Sequence, residues 1–324
     1  MPLRAGTSSG LFMVMVAAGL WATVGVAVEL TPGAGDVSDT VLAALRTGIA
    51  GPVLIALWGL SKRPRSTDLS ALALRPLCLF ALSSAVFQIC LFRSFDQLGV
   101  TVAVFLTVCL PPVLAWAWAG LQHRQAVSGQ AAVALGLAVV GMAVISVARF
   151  DAGSAQLSLS GLAHGVIASI AFVVMSLAAA DLSRRASPLL VAGSGLSLSA
   201  LLLFGIALVL GEGWQLHQQF GGSAAQIGLL VLYLGLLPTA LAYLCYCAGM
   251  ARCRTPVTGL MASMIEPLLA AGLASLLLGE RISTVTAGGC VLLMGAMVLL
   301  WHCESKPAGP PLSTRRHHPV LGAS

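Results

Sequence analysis

Charge is scarce in this chain. Only 9% of the 324 residues are Asp, Glu, Lys or Arg, against about 25% in an ordinary soluble domain. That is too little to cover a water-facing surface. With 58% hydrophobic residues and a strongly positive mean hydropathy, the solvent it fits is lipid. Other absences narrow the chemistry. No Gly-rich loop with Lys is present, so the chain encodes no ATP motor. No HExxH zinc-protease motif occurs, and the basic residues are spread among loops without a nucleic-acid patch. Gly193-Ser194-Gly195 lacks the G-x-S-x-G spacing of a nucleophile elbow and reads as small residues in a membrane helix. An intramembrane enzyme would need paired catalytic groups at one depth. Here the histidines are scattered, and Asp151 and Asp181 fall at span ends. The expectation is therefore no enzyme, no cofactor, no metal and no nucleic acid.

Cysteine is present, eight residues in all, mostly inside apolar runs. Cys245 and Cys247 form C-x-C without a second pair, so neither disulfides nor a metal site are expected. The first apolar run, 11–28, has no small-residue cleavage site before a polar start and reads as a retained helix.

What is abundant is long apolar sequence. A helix crossing a hydrocarbon core of about 30 Å needs about 20 apolar residues. Ten such runs can be drawn: about 11–29, 41–60, 74–92, 98–121, 129–148, 160–180, 188–210, 226–248, 256–278 and 284–302. They are apolar on every face, as helices in lipid must be, and lack the alternation of barrel strands. The fold class is an all-α membrane protein with ten transmembrane helices.

Orientation follows from the basic residues between runs. With the N-terminus inside, inward segments hold Arg4, Lys62, Arg63, Arg65, Arg75, Arg124, Arg184, Arg185, Arg252, Arg254, Lys306, Arg315 and Arg316. Outward segments hold Arg93, Arg149 and Arg281, and Arg46 lies within the second span. The asymmetry places both termini in the cytoplasm. The Ala- and Gly-rich composition points to a bacterial plasma membrane, multi-pass. The polar, Pro-rich segment 303–324 reads as a disordered cytoplasmic tail, and its His317–His318 pair as part of that basic tail rather than a metal site.

The chain also repeats. Shifted by 155 residues, TVAVFLTVCLPPVLAWAWAGLQHRQAVS (101–128) overlies PVTGLMASMIEPLLAAGLASLLLGERIS (256–283), matching Pro112 with Pro267 and Ser128 with Ser283. A slightly different shift places GLFMVMVAAGLWATVG (10–25) over GLAHGVIASIAFVVMS (161–176), with Trp21 over Phe172. Two halves, 10–148 and 160–302, each hold five spans. An odd number turns the second copy upside down, giving two inverted five-helix repeats, an arrangement found in many secondary transporters.

The stretch LPTALAYLCYCAGMARCRTPVTGLMASMIEPLLAAGLASLLLGERIS (237–283) resembles the C-terminal signature of EamA-type domains in the drug/metabolite transporter superfamily. Pro238, Ala240–Tyr243, Glu266–Pro267 and Gly279–Glu280–Arg281 carry the likeness, and Trp21 and Arg46 extend it to the first half. It covers about residues 10–302. The resemblance implies ten helices in two inverted repeats, a central cavity, alternating access, and movement of small metabolites, often export. The first half departs from the pattern, with Pro111–Pro112 where the second has Glu266–Pro267, and His123-Arg124-Gln125 near the place of Gly-Glu-Arg.

A handful of residues could carry transport chemistry. Glu266 is a carboxylate near the bilayer midplane, where ionisable groups face water or a partner. Pro111, Pro112 and Pro267 each remove a helix hydrogen bond, so helix breaks are expected at matching places in the two halves. Arg46 is always charged and could clamp a carboxylate or phosphate; the bland alternatives are a fixed pair with Glu29 or Asp39, or snorkelling. Gln88 overlies Tyr243 at the 155-residue shift and could line a cavity or make an interhelical bond. Trp21 and Phe172 could bound a substrate or simply pack. His164 reads as a satisfied histidine rather than a proton relay. Glu280, Arg281 and Ser283 read as a tight turn with a helix cap, with Ser128 and Ser160 as further caps. Ala132 and Gly136 offer a small-residue packing face.

These readings converge on a secondary transporter of a small metabolite such as an amino acid, with protons as a candidate coupling ion. A lipophilic-cation or multidrug efflux transporter is the close alternative, since Glu266 with aromatics suits a cation. A membrane scaffold without transport, or an intramembrane enzyme, are the remote ones. Oligomeric state is not legible.

Overall fold

In the computed structural model, the residues described are 4–34, 37–61, 69–123, 129–149, 158–212, 224–277 and 284–305. Among them no strand occurs. The helices are α1 (Arg4–Glu29), α2 (Asp39–Leu60), α3 (Leu74–His123), α4 (Gly129–Arg149), α5 (Leu159–Arg185) and α6 (Pro188–Val209). After them come α7 (Ala224–Gly235), a π-helical segment (Leu236–Leu241), α8 (Ala242–Arg252), α9 (Pro256–Ser263), α10 (Glu266–Leu277) and α11 (Thr284–Ser305). Seven stretches are long and apolar enough to cross a bilayer. Three shorter apolar helices, Leu106–Trp118, Ala132–Gly141 and Ala287–Ala296, lie where the sequence places further crossings.

Packing is pairwise and reciprocal. α1 lies against α8, α9 and α10, and α5 lies against α3. α2 packs on α6, and α4 on α11. Exchanging the first half of the chain for the second returns the same set of pairings. The direction also reverses. The start of α1 sits where Gly10 abuts Arg252, whereas α5 arrives at that end with Arg184 donating to the Cys253 carbonyl at 3.5 Å. The opposite end carries Ser38, just before α2. Its hydroxyl donates to Glu212 Oε2 at 2.7 Å, directly after Gly211 turns the chain at φ 74°.

Close approach comes from absent side chains. α2 and α6 meet where Gly51 faces Ser197 and Gly193 faces Ile55, and Gly195 of α6 lies against the Phe80 ring of α3. A side chain at Gly195 would occupy the ring's own volume. Small residues at such crossings let backbones meet in lipid, where apolar burial alone gives no preference for protein over acyl chain. The Ala132–Gly136 face on α4 is less simple than expected. Ala134, Leu135 and Ala138 are buried, but Gly136 is exposed with nothing within 4 Å of an added Cβ.

The helix breaks differ from those expected. The gap between 92 and 98 is absent: α3 is helical from Leu74 to His123. A straight helix would set Ser94 and Leu106 about 18 Å apart. Yet a Cβ on Gly165 would lie 3.1 Å from Ser94 Oγ and 2.7 Å from Leu106 Cδ1, closer than those side chains could bridge along a straight axis. The axis of α3 therefore bends back between them, without a loop. Nor is there a break at Pro111–Pro112, both buried and both inside α3. Proline's fixed φ is compatible with helix, and what it removes is one hydrogen bond per ring. The helical turns on either side hold the axis through the pair.

At Pro267 the chain is interrupted. α9 ends at Ser263, Met264 and Ile265 form a turn, and α10 starts at Glu266. Pro267 then falls in the first turn of a new helix, where its missing N–H would have had no partner. A second irregularity lies at Pro238, inside the π segment. Pro238 cannot donate to the Leu234 carbonyl. The Thr239 hydroxyl does so instead, at 2.6 Å.

Ser160 is not the cap of α5. Ser158 is the N-cap, its Oγ accepting from Gly161 N at 3.3 Å, while Ser160 bonds to Ser158 and to Gln97 Oε1 across the bundle. Ser158 takes the position because it is the last residue with extended backbone before the helix. Ser128, Glu280, Arg281 and Ser283 lie outside the described residues, as does the tail from Lys306. Cys78, Cys90, Cys245, Cys247 and Cys253 are free thiols.

Candidate functional site

Six aromatic rings from four helices meet in the middle of the bundle. Trp21 of α1 is their hub. Its ring lies 6.2 Å from Phe172 of α5, 5.5 Å from Tyr243 and 5.2 Å from Tyr246 of α8, centroid to centroid. Phe87 of α3 stacks on Phe172 at 5.1 Å, and Phe80 meets Tyr243 at 6.5 Å. The Trp21–Phe172 and Trp21–Tyr243 pairs are edge-to-face, with interplanar angles of 73° and 67°. Such pairs contribute about 0.5–1.5 kcal/mol each beyond the area they bury. Trp21 and Phe172, matched in the sequence repeat, thus touch in space.

Tyr246 anchors the cluster. Its hydroxyl is 2.6 Å from Ser176 Oγ, and Ser176 in turn is 2.6 Å from the Phe172 carbonyl. A serine has one proton, and a carbonyl can only accept. Ser176 therefore donates to Phe172, and Tyr246 donates to Ser176. Sequence reasoning missed Tyr246, although it lies three residues after Tyr243 and so shares its helix face. Phe80 and Phe87, two turns apart on α3, carried the same signal.

Beside the rings lies a polar group. Arg46 of α2 donates to Gln88 Oε1 of α3 through Nη2 at 2.7 Å and Nε at 3.2 Å. Neither Glu29 nor Asp39 pairs with it, and among the described residues it has no carboxylate partner. Gln88 is completely buried, and its Nε2 has no hydrogen-bond partner. Tyr243 is within electrostatic reach of Arg46, Ser84, Cys247 and Glu266. Ser84 is also fully buried, with no hydrogen bond of normal geometry to its hydroxyl. Gln88 and Tyr243, the second repeat-matched pair, therefore flank one guanidinium.

Glu266 opens α10 immediately after the Met264–Ile265 turn. The free N–H groups of a first helical turn carry partial positive charge, which favours a carboxylate there. Its side chain is half-buried and makes no ion pair or hydrogen bond with the described residues. The six candidate substrate residues, Trp21, Arg46, Gln88, Phe172, Tyr243 and Glu266, are thus gathered around Tyr243. The three prolines are not. Pro267 adjoins the group through Glu266, while Pro111 and Pro112 are buried in α3 away from any break. His164 stands apart too, its Nδ1 2.7 Å from the Ser160 carbonyl one turn back.

The arrangement offers an aromatic wall, a set of hydrogen-bond donors around a guanidinium, and one carboxylate on the second half of the chain. Neither a nucleophile–base pair nor a group of three or more metal-ligating side chains occurs among the described residues.

Comparison with known proteins gives three results. The sequence profile of a family described as "EamA-like transporter family" matches residues 8–147 and again residues 158–301. No curated protein matches the chain. A solved structure described only as "Crystal structure of protein" is similar in fold, with a TM-score of 0.73 and 19% identity, over 92% of this chain and 99% of that one.

Proposed function

Because the chain belongs to the EamA-like transporter family, an integral membrane family, we propose that it is a secondary transporter working by alternating access on the group around Tyr243. It moves a small metabolite such as an amino acid, in the direction of export, across a plasma membrane with both termini cytoplasmic. The bundle is read as ten crossings in two inverted five-helix repeats. Support comes from the reciprocal helix contacts, the opposed directions of α1 and α5, and the two segments matched by one profile.

One observation carries this reading. Residues paired by the repeat come together in the middle of the bundle: Trp21 with Phe172 in ring contact, and Gln88 with Tyr243 through Arg46. A scaffold has no need for unpaired charge at the junction of its halves, whereas a carrier needs its binding groups where rocking halves meet. Protons are the proposed coupling ion, with Glu266 as the group that exchanges them. A second reading, a lipophilic-cation efflux transporter, is favoured by the ring cluster with a carboxylate nearby, since aromatic faces attract cations.

Reconstitution in liposomes tests both. Labelled amino acids and cationic drugs are assayed with and without a pH gradient. Saturable flux of one class, driven by the gradient, is the expected result. Well-folded protein that moves nothing across a broad panel would end the transporter proposal.

A further inference from the structure

The polar group at Arg46 leaves donors unmet. A guanidinium has five N–H groups and no acceptor. Two of Arg46's point at Gln88 Oε1, and the other three meet no partner among the described residues. Because arginine can only donate, the Gln88 amide must present its oxygen to it. The amide nitrogen is then fixed on the other side of the same carbon, fully buried and unpartnered. Tyr243 is within electrostatic reach of the same charge and of Ser84. A buried donor without an acceptor is costly to leave unmet, and the half-buried guanidinium beside it has no anion among the described residues. Arg46, Gln88 and Tyr243 together lack one thing, a monoanion with two oxygens.

We propose that this group is a carboxylate-binding site, and that the transported solute enters it carboxylate first. The inference rests on the transporter reading for the word "transported", and on the geometry alone for the site. A planar carboxylate satisfies a guanidinium edge and a neighbouring N–H at once. One guanidinium neutralises one charge, so a phosphate dianion would bring a second, uncompensated one. A lipophilic cation gains nothing from a cluster of donors around a positive centre. The solute's remaining bulk lies toward Trp21, whose ring meets Tyr243 at 5.5 Å, and toward Phe172 on Trp21.

Acetate is the smallest probe, with ethylammonium as its cationic counterpart and inorganic phosphate as the competing oxyanion. Thermal unfolding of the purified protein in lipid nanodiscs is followed during titration of each at constant ionic strength. Acetate is expected to give a saturable rise in Tm and ethylammonium none. Arg46→Gln removes the rise, and Arg46→Lys weakens apparent affinity about tenfold by losing the planar fork. Gln88→Glu is the decisive variant, because it supplies the missing carboxylate from within. It should raise the probe-free Tm and abolish the response to acetate, and it stays informative even if Arg46→Gln fails to fold. No saturable acetate response in wild type, an unchanged response in Gln88→Glu, or a stronger response to phosphate overturns the assignment. The two proposals fail separately. Gradient-driven flux of amines that acetate does not inhibit would leave a transporter without this site. An acetate response in a protein that moves no solute would leave the site without a transporter.

Discussion

Glu266 and Tyr246 show two ways in which a polar atom is kept deep in an apolar bundle. Tyr246 is fully satisfied through Ser176, so Tyr246→Phe removes one buried bond and leaves the Ser176–Phe172 bond in place. Interhelical bonds of this kind in membranes average about 0.6 kcal/mol and reach about 1.7. The variant should unfold a few degrees lower, with flux intact; a loss of flux at unchanged stability would instead place Tyr246 in contact with solute. Glu266 has no such partner. If it exchanges protons with the solute cycle, Glu266→Gln should abolish the response of flux to a pH gradient while sparing exchange of solute for solute. Gradient-driven flux at wild-type rate in that variant would remove Glu266 from coupling. At this scale the sequence is informative where a residue is out of keeping with its surroundings. A lone arginine and a lone glutamate in oil stand out, and both fall in the site. Tyr246, Phe80 and Phe87 are not legible because aromatics in a membrane helix are ordinary until their neighbours are known.

Helices and their interruptions obey rules that single residues only partly reveal. Each proline lacks an N–H, but the outcome depends on where in the helix it falls and how any freed carbonyl is satisfied. At Pro238 a threonine hydroxyl takes it and the helix widens into a π segment. At Pro267 a new helix begins. At Pro111 and Pro112 the helix continues. From sequence alone these three cases look alike, which is why the residues predict a break at Pro111–Pro112 as readily as at Pro267. Thr239→Val tests the first case. Losing the hydroxyl removes its buried bond to the Leu234 carbonyl and should cost about 0.5–1.5 kcal/mol, read as a lowered Tm. Unchanged stability would mean that the π segment does not depend on that bond. Helix crossings make a sharper prediction. Gly195→Leu drives a side chain into the Phe80 ring and should cost about 1–3 kcal/mol or prevent assembly. Gly228→Leu, at a glycine exposed with nothing within 4 Å of an added Cβ, is the control and should be tolerated. Equal behaviour of the two would show that the α3–α6 crossing is looser than its geometry implies.

Over the whole molecule, the period of the sequence is the strongest signal. Shifting the chain on itself matches residues that the structure brings together, Trp21 with Phe172, as equivalent positions near the axis of the proposed inverted repeat would be. Loops carry no comparable signal. The absence of a loop between 92 and 98 could not be read from residues that look like any other short polar connection. Placement in the membrane rests on charge. Arg184, Arg185, Arg252 and Arg254 share one end of the bundle, while Glu212 marks the other. If the arginine end is cytoplasmic, a protease-cleavable tag after Ser324 will survive protease added outside intact cells and be cut once the membrane is opened. Cutting in intact cells reverses the assigned topology.

The two halves are unequal in how they can deform. In the first, both arms of α3 are joined by continuous hydrogen bonding around a bend, so one arm cannot swing without dragging the other. In the second, the corresponding stretch is severed twice, at Cys253–Thr255 and at Met264–Ile265. Motion in a molecule so jointed will not be shared evenly across its axis. On the proposed transporter reading, the early helices would form the stiffer frame and the later ones the part that yields, beside Glu266.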